Sequence, residues 1–239
     1  MWNCQGARKK QFKRHFKELC RTQRPKITVV VEPRVSGSVA ERIISGLGYN
    51  CSHRVEARGF ADGIWLMWND DQVEVQILYS HTQLVHVRVS KGSSAFFLTV
   101  VYASPQEKWR RYCWKNIEAL AEHIGEPWLL VGDFNAVLDG NERKDRFGRP
   151  GRSSKAFQEC ISTSNLMDLD FSGGKFTWRG GGYRARLDRF LCNEEWRLTF
   201  TKATVFHLSF TSSNHRPIII KHGASSPDHS QRPFRFQAA

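Results

Sequence analysis

The chain has 239 residues, 40% of them apolar, with 16 Phe and 8 Trp. That is enough to bury one sizeable core and excludes a disordered chain. Its 36 Lys and Arg against 23 Asp and Glu give a net charge of +13, so polyanions are the favoured partners, nucleic acid ahead of an anionic lipid surface. No window approaches the roughly 18 uninterrupted apolar residues of a membrane span, and the opening residues Met1 to Gly6 lack a signal peptide's charged and apolar regions.

Residues 8–23 carry Phe12, Phe16, Leu19 and Cys20 at helical spacing between Lys and Arg, which predicts an amphipathic helix. Residues 27–32 predict a buried strand, a β-branched run stopped by Glu32. Val39 to Leu47 predicts a helix ending near Gly48, and short strands follow over 64–68, 73–79, 84–89 and 95–102. After Pro105 a helix is predicted with Trp109, Cys113, Ile117, Leu120 and Ile124 on one face, then a strand from Trp128. A basic loop over 140–152 precedes a helix over 153–165. Residues 176–178 and 186–191 predict a hairpin across Gly180 to Gly182, and 203–210 and 217–221 predict two closing strands. Strands mixed with helices throughout predict an α/β sandwich of two or four layers over residues 1–222, with a loose tail over 223–239.

The cysteines at 4, 20, 51, 113, 160 and 192 are scattered, with no C-x-x-C pair. This argues against a zinc site or a disulfide framework and for a reducing compartment, nuclear or cytoplasmic. The positive charge is clustered: nine basic residues and one acid in 8–26, six basic residues in 143–155 and five in 175–189. The most informative stretch is 128–135, where an apolar run ends in Asp133 and Asn135. An acid at the end of a buried strand is where α/β proteins place chemistry. Strict alternation would set Asp133 and Asn135 on one face, where a carboxylate and an amide can serve a divalent cation and an anionic oxygen together. Polar residues end other apolar strands too: Asn3, Gln5, Glu32, Tyr102, Thr177, Asp188 and the pair Asn214 and His215.

The segments 2–6 (WNCQG), 30–33 (VVEP), 101–105 (VYASP), 131–135 (VGDFN), 186–191 (RLDRFL) and 212–217 (SSNHRP) together resemble the endonuclease/exonuclease/phosphatase superfamily. They are most similar to the endonuclease domain of plant LINE-type (non-LTR) retrotransposons. The resemblance implies a four-layer α-β-β-α sandwich, a divalent metal (Mg²⁺ or Mn²⁺), phosphodiester hydrolysis and a DNA partner, with a monomer and no small-molecule cofactor expected. Residue by residue it implies Glu32 as principal metal ligand with Asn3 close by, Asp133 positioning or deprotonating the attacking water, and Asn135 holding a phosphate oxygen. Tyr102 would steady the phosphate, His215 would polarise it or act as acid/base, Asp188 would fix the imidazole tautomer, and Thr177 would contact the phosphate side. Arg143, Arg146, Arg184 and Arg186 are the candidates for backbone or minor-groove contacts.

Two departures carry consequences. The family reads Ser-Asp-His where this chain has Ser213, Asn214 and His215. Asn214 keeps an oxygen for the metal and for catalysis but drops a charge, and loss of one such electrostatic group commonly costs ~10²–10³ in rate. The resemblance also implies several strand residues ahead of Trp2, where this sequence has Met1 alone, so a first strand cut short is expected. Nothing after residue 222 has the length of the reverse transcriptase that follows such domains, which implies a detached endonuclease domain. Beside the nicking endonuclease stand two other readings: a catalytically inactive nucleic-acid-binding relic, and a hydrolase of a phosphoinositide, sphingomyelin or nucleotide.

Overall fold

The computed structural model describes residues 1–57 and 62–222, and the tail expected over 223–239 lies outside them. The elements run β1 (Trp2–Asn3), α1 (Lys10–Gln23), β2 (Ile27–Val31), α2 (Gly37–Ser45), β3 (Cys51–Val55), β4 (Ile64–Trp68), β5 (Glu74–His81), β6 (Leu84–Lys91), β7 (Ser94–Tyr102), α3 (Glu107–Ala121) and β8 (Trp128–Asp133). A 3-10 turn at Gly140–Glu142 leads into β9 (Arg143–Lys144), then α4 (Lys155–Thr163), β10 (Met167–Asp168), β11 (Phe171–Gly173) and β12 (Trp178–Gly180). The remaining elements are β13 (Tyr183–Ala185), β14 (Asp188–Cys192), α5 (Glu194–Thr199), β15 (Thr204–His207) and β16 (Ile218–Lys221).

Strand alternation sorts the apolar side chains into layers. Val29, Val31, Ile64 and Leu66 enter one core together with Val85, Val87, Val100, Leu129, Val131 and Phe190 from the opposite sheet. Their neighbours Val30, Trp65 and Met67 point the other way, onto Phe12 and Phe16 of α1 and Ala40 and Ile44 of α2. Val101, Leu130 and Leu191 likewise pack outward on Cys113, Trp114 and Ile117 of α3 and Phe157 and Cys160 of α4. The result is helices, sheet, sheet, helices: a four-layer α-β-β-α sandwich. Continuous apolar runs are needed because the central strands are covered on both faces.

One sheet has the order β1-β2-β4-β3 and its partner β10-β14-β8-β7-β6-β5, with smaller sheets β11-β15-β16 and β12-β13-β9. β7 and β8 are parallel, and β8 and β14 antiparallel, with Tyr102 and Asp188 both in register with Asp133. Gly132 permits the β7–β8 approach, since a Cβ there would sit 1.9 Å from the Val101 carbonyl oxygen.

The expected hairpin is different in register. Trp178 pairs with Ala185 in β12–β13, whereas β14 leaves that hairpin and joins β8 in the central sheet. Phe190, Leu191 and Cys192 are buried and belong to the sandwich interior, while Gly181 to Arg184 are exposed. The strand β3 and helix α5 have no sequence counterpart above, because β3 is a polar edge strand and α5 buries only Trp196. No helix among the described residues is long and apolar enough to cross a membrane. All six cysteines are free thiols.

Candidate active site

Parity along the strands decides where the polar residues go. Asp133 continues the Leu129 and Val131 side of β8, Asp188 the Phe190 and Cys192 side of β14, and Tyr102 the Leu98 and Val100 side of β7. All three therefore reach one end of the layer between the sheets. Asn3 and Glu32 arrive from the facing sheet, at the ends of β1 and β2. The Asn3 amide nitrogen donates to Glu32 Oε1 and to Asp133 Oδ2, both at 2.8 Å, and so bridges the two sheets.

The backbone is contorted here. Gln5, Glu32, Arg34 and Asn135 have φ of 48°, 52°, 54° and 47°, a region that costs a residue with a Cβ roughly 1–3 kcal/mol. Such strain persists only where the surroundings enforce it.

Glu32, Asp133 and His215 are buried, and each offers one ligand atom within 4.8 Å of the others'. His215 Nδ1 donates to Asp188 Oδ2 at 2.9 Å and stands 3.7 Å from Asp133 Oδ2. Burial would lower the His215 imidazolium, but the Asp188 and Asp133 carboxylates override it and raise it to about 9. Burial, and then the Asp188 charge, raises Asp133 to about 7. Burial together with Glu32 and Asp133 pushes the Tyr102 hydroxyl upward, which keeps it a neutral donor. The hard oxygens of Glu32 and Asp133 fit Mg²⁺ or Mn²⁺, and the buried Asp188 Oδ1 has no hydrogen-bond partner.

The geometry shows what else the expected site residues touch. Asn3 clasps the two sheets through its amide nitrogen, and its Oδ1 accepts the Gln5 N–H at 3.2 Å. Asn135 lies beyond β8, in the left-handed region, so alternation does not govern it. Its amide donates to the Ala103 carbonyl at 2.9 Å, leaving one N–H and its oxygen for other partners. Thr177 is fully buried, and its Oγ1 accepts the Leu187 and Asp188 N–H groups at 3.0 Å each, which seats β14 instead of facing a phosphate. Asn214 is exposed, whereas Glu32, Asp133 and His215 are buried. Its N–H donates to Gln5 Oε1 at 3.1 Å, and it lines a cleft of about 450 Å³ with Arg146, Arg179, Tyr183 and Arg184.

Of the four candidate DNA-contacting arginines, Arg143, Arg146 and Arg184 are exposed. Arg186 is not. Its side chain is 6% exposed and is held by Glu142 at 3.0 Å and Asp168 at 2.5 Å, beside the fully buried Arg189. It is a structural ion pair that anchors the 140–144 segment to the start of β14.

Sequence reasoning missed Arg34 and Asp62. Arg34 Nη2 contacts Glu32 Oε2 at 2.5 Å, and Asp62 lies 3.4 Å from Arg34 and 3.5 Å from the Tyr102 hydroxyl. The only available signal was Arg34's place two residues after Glu32; Asp62 carried none. Ser213 was also missed; its Oγ donates to the Asn3 carbonyl at 2.7 Å and ties the two ends of the chain together at the site.

The fold is shared with proteins of known structure. The endonuclease domain of TRAS1, a telomere-specific non-LTR retrotransposon, superposes with a TM-score of 0.66 at 18% identity, covering 94% of this chain and 97% of that one. The AP endonuclease LMAP from Leishmania major gives 0.68 at 15% identity, covering 91% and 84%. The Staphylococcus aureus beta toxin with bound magnesium ions gives 0.64 at 12% identity, covering 89% and 92%. No curated protein matches the chain by sequence. The Endonuclease/Exonuclease/phosphatase family model, however, matches residues 2–215, a span that takes in every element from β1 to the catalytic candidate His215, and the chain belongs to that family.

Proposed function

We propose that this chain is a metal-dependent phosphodiesterase that nicks duplex DNA, of the retrotransposon-endonuclease type. The observation that carries the reading is the buried group of Glu32, Asp133 and His215 at one end of the sandwich, with His215 seated on Asp188. Glu32 would hold a hard cation, Mg²⁺ or Mn²⁺, which when bound would neutralise phosphate charge and favour departure of the leaving oxygen. The beta toxin of the same fold binds magnesium, which supports that choice.

The protein's own groups supply the rest. Asp133, raised to about 7, takes a proton from water at neutral pH as the water oxygen attacks phosphorus. His215, raised to about 9, stays protonated and gives its proton to the departing oxygen as the phosphorus–oxygen bond breaks. Asp188 keeps the imidazole oriented throughout. The free N–H of Asn135 and the neutral Tyr102 hydroxyl hold phosphate oxygens, and Arg143, Arg146, Arg179 and Arg184 meet the flanking backbone. Asn214 belongs to that cleft and meets the strand, not the cation.

A second reading, DNA binding without turnover, draws on Arg34, which already occupies an oxygen of Glu32 that a cation would use. Hydrolysis of bis(p-nitrophenyl) phosphate, with and without EDTA and competing duplex, separates the readings. The proposal expects EDTA-sensitive hydrolysis that duplex DNA inhibits. Hydrolysis indifferent to duplex would point to a small phosphodiester substrate, and duplex binding with no hydrolysis would point to the second reading.

A further inference from the structure

The turn after β9 presents an aromatic ring to solvent on a rigid mount. Phe147 is 67% exposed, the second most exposed large apolar side chain among the described residues. Its turn is closed by Asp145, whose Oδ1 accepts the Phe147 and Arg149 N–H groups at 2.9 Å each, while Oδ2 accepts from Arg149 Nε at 2.9 Å. Asp145 and Arg149 are joined through their backbones at 3.1 Å, and Gly148 supplies the reversal at φ 82°. A large apolar side chain held in water on so well-bonded a turn forgoes the stabilisation that burial would give it.

The surroundings select the partner. The guanidinium of Arg146 lies 4.6 Å and that of Arg149 5.1 Å from the centre of the Phe147 ring, so the ring has two cations beside it. The antiparallel β9–β13 register carries the turn to the same end as Gly181 and Gly182, and Arg146 reaches both Gly182 and the cleft containing Asn214. β12 in turn bridges to His215 through Trp178. One small sheet thus mechanically links the exposed ring to the catalytic imidazole.

We propose that Phe147 is an aromatic wedge that unstacks one base step of the bound duplex while Arg146 and Arg149 grip the phosphates on either side. This rests on the DNA-nicking reading and names how that site recognises its substrate: by deformability, with flexible pyrimidine–purine steps opening most readily. A protein partner would meet the ring through apolar contacts and has no need of two guanidiniums beside it.

The test places 2-aminopurine at successive positions of a duplex and follows its fluorescence with the whole protein in metal-free buffer. Wild type and Phe147→Leu are expected to raise fluorescence at one step; Phe147→Ala is expected to bind but leave it unchanged. In Mg²⁺, Phe147→Ala is expected to lose about tenfold in kcat/KM on the paired duplex and to recover within about twofold on a duplex with a mismatch at that step. An unchanged fluorescence rise in Phe147→Ala, or a rate loss that the mismatch does not rescue, overturns the wedge. Fluorescence change in wild type without nicking leaves the wedge standing and removes the catalytic reading. Failure of wild type to bind duplex removes both. Phe147 makes no core contact, so an unaltered melting temperature in Phe147→Ala separates these outcomes from misfolding.

Discussion

At the scale of single residues, charge type alone does not tell function; the partners do. Arg184 and Arg186 are two positions apart, yet Arg184 is exposed on the cleft and Arg186 is locked against Glu142 and Asp168. Arg184→Ala is expected to weaken duplex binding and lower the slope of log K against log salt by about 1, with no loss of stability. Arg186→Ala leaves Glu142 and Asp168 short of a cation and is expected to cost about 3–5 kcal/mol in urea unfolding. An unchanged salt slope for the first, or an unchanged midpoint for the second, would reverse the assignment. Nothing in the local sequence distinguishes the two, because the partners of Arg186 lie 44 and 18 residues away. The acids Glu32 and Asp133 stand out in the sequence because each ends an apolar run, whereas Asp188 opens β14. Asn135 was misread because alternation was extended one step past the strand's end.

His215 adds a pH dependence with a definite sign. Its folded value is raised to about 9 from 6.5, so the folded protein holds this proton more tightly than the unfolded chain does. The stabilisation is complete below 6.5 and is lost as pH rises through about 9. In EDTA, His215→Gln should therefore lower the melting temperature more at about pH 6 than at about pH 10. A deficit that is constant or grows with pH would contradict the pairing with Asp188 and Asp133.

At the scale of elements, buried strands announced themselves and edge pieces did not. β2, β4, β7 and β8 are read from apolar runs because both faces are covered, while β3, with polar Ser52, His53 and Arg54, pairs only along one side. β1 has the opposite problem. It bonds β2 only at Val30 and Val31, and Met1 exchanges backbone bonds with Ile218 at 2.8 and 2.9 Å. Beside it a cavity of about 720 Å³ is lined by Ile27, Val29, Ile218 and Ile220, the edges of β2 and β16. A short strand of alternating apolar residues placed ahead of Met1 would bridge the two edges. The melting temperature should rise by roughly 5 °C; no change would mean that the slot does not accept a strand.

At the scale of the whole molecule, the sandwich brings the ends of strands from both sheets to a single active edge. The basic clusters divide around it. Residues 143–149 and 179–184 stand on the small β12-β13-β9 sheet beside His215, whereas the cluster over 8–26 rides largely on α1 in an outer layer. A net charge of +13 therefore predicts duplex affinity, and only the arrangement of Glu32, Asp133, Asp188 and His215 predicts turnover. The most direct measurement is nicking of supercoiled plasmid in Mg²⁺ by wild type, Asp133→Ala and Asn214→Asp. Wild type should nick, Asp133→Ala should fall by at least about 10², and Asn214→Asp, whose new carboxylate faces the arginine cleft, should gain less than about tenfold. Plasmid nicked equally by Asp133→Ala, or left intact by wild type while Asn214→Asp cuts it, would contradict the account of this site.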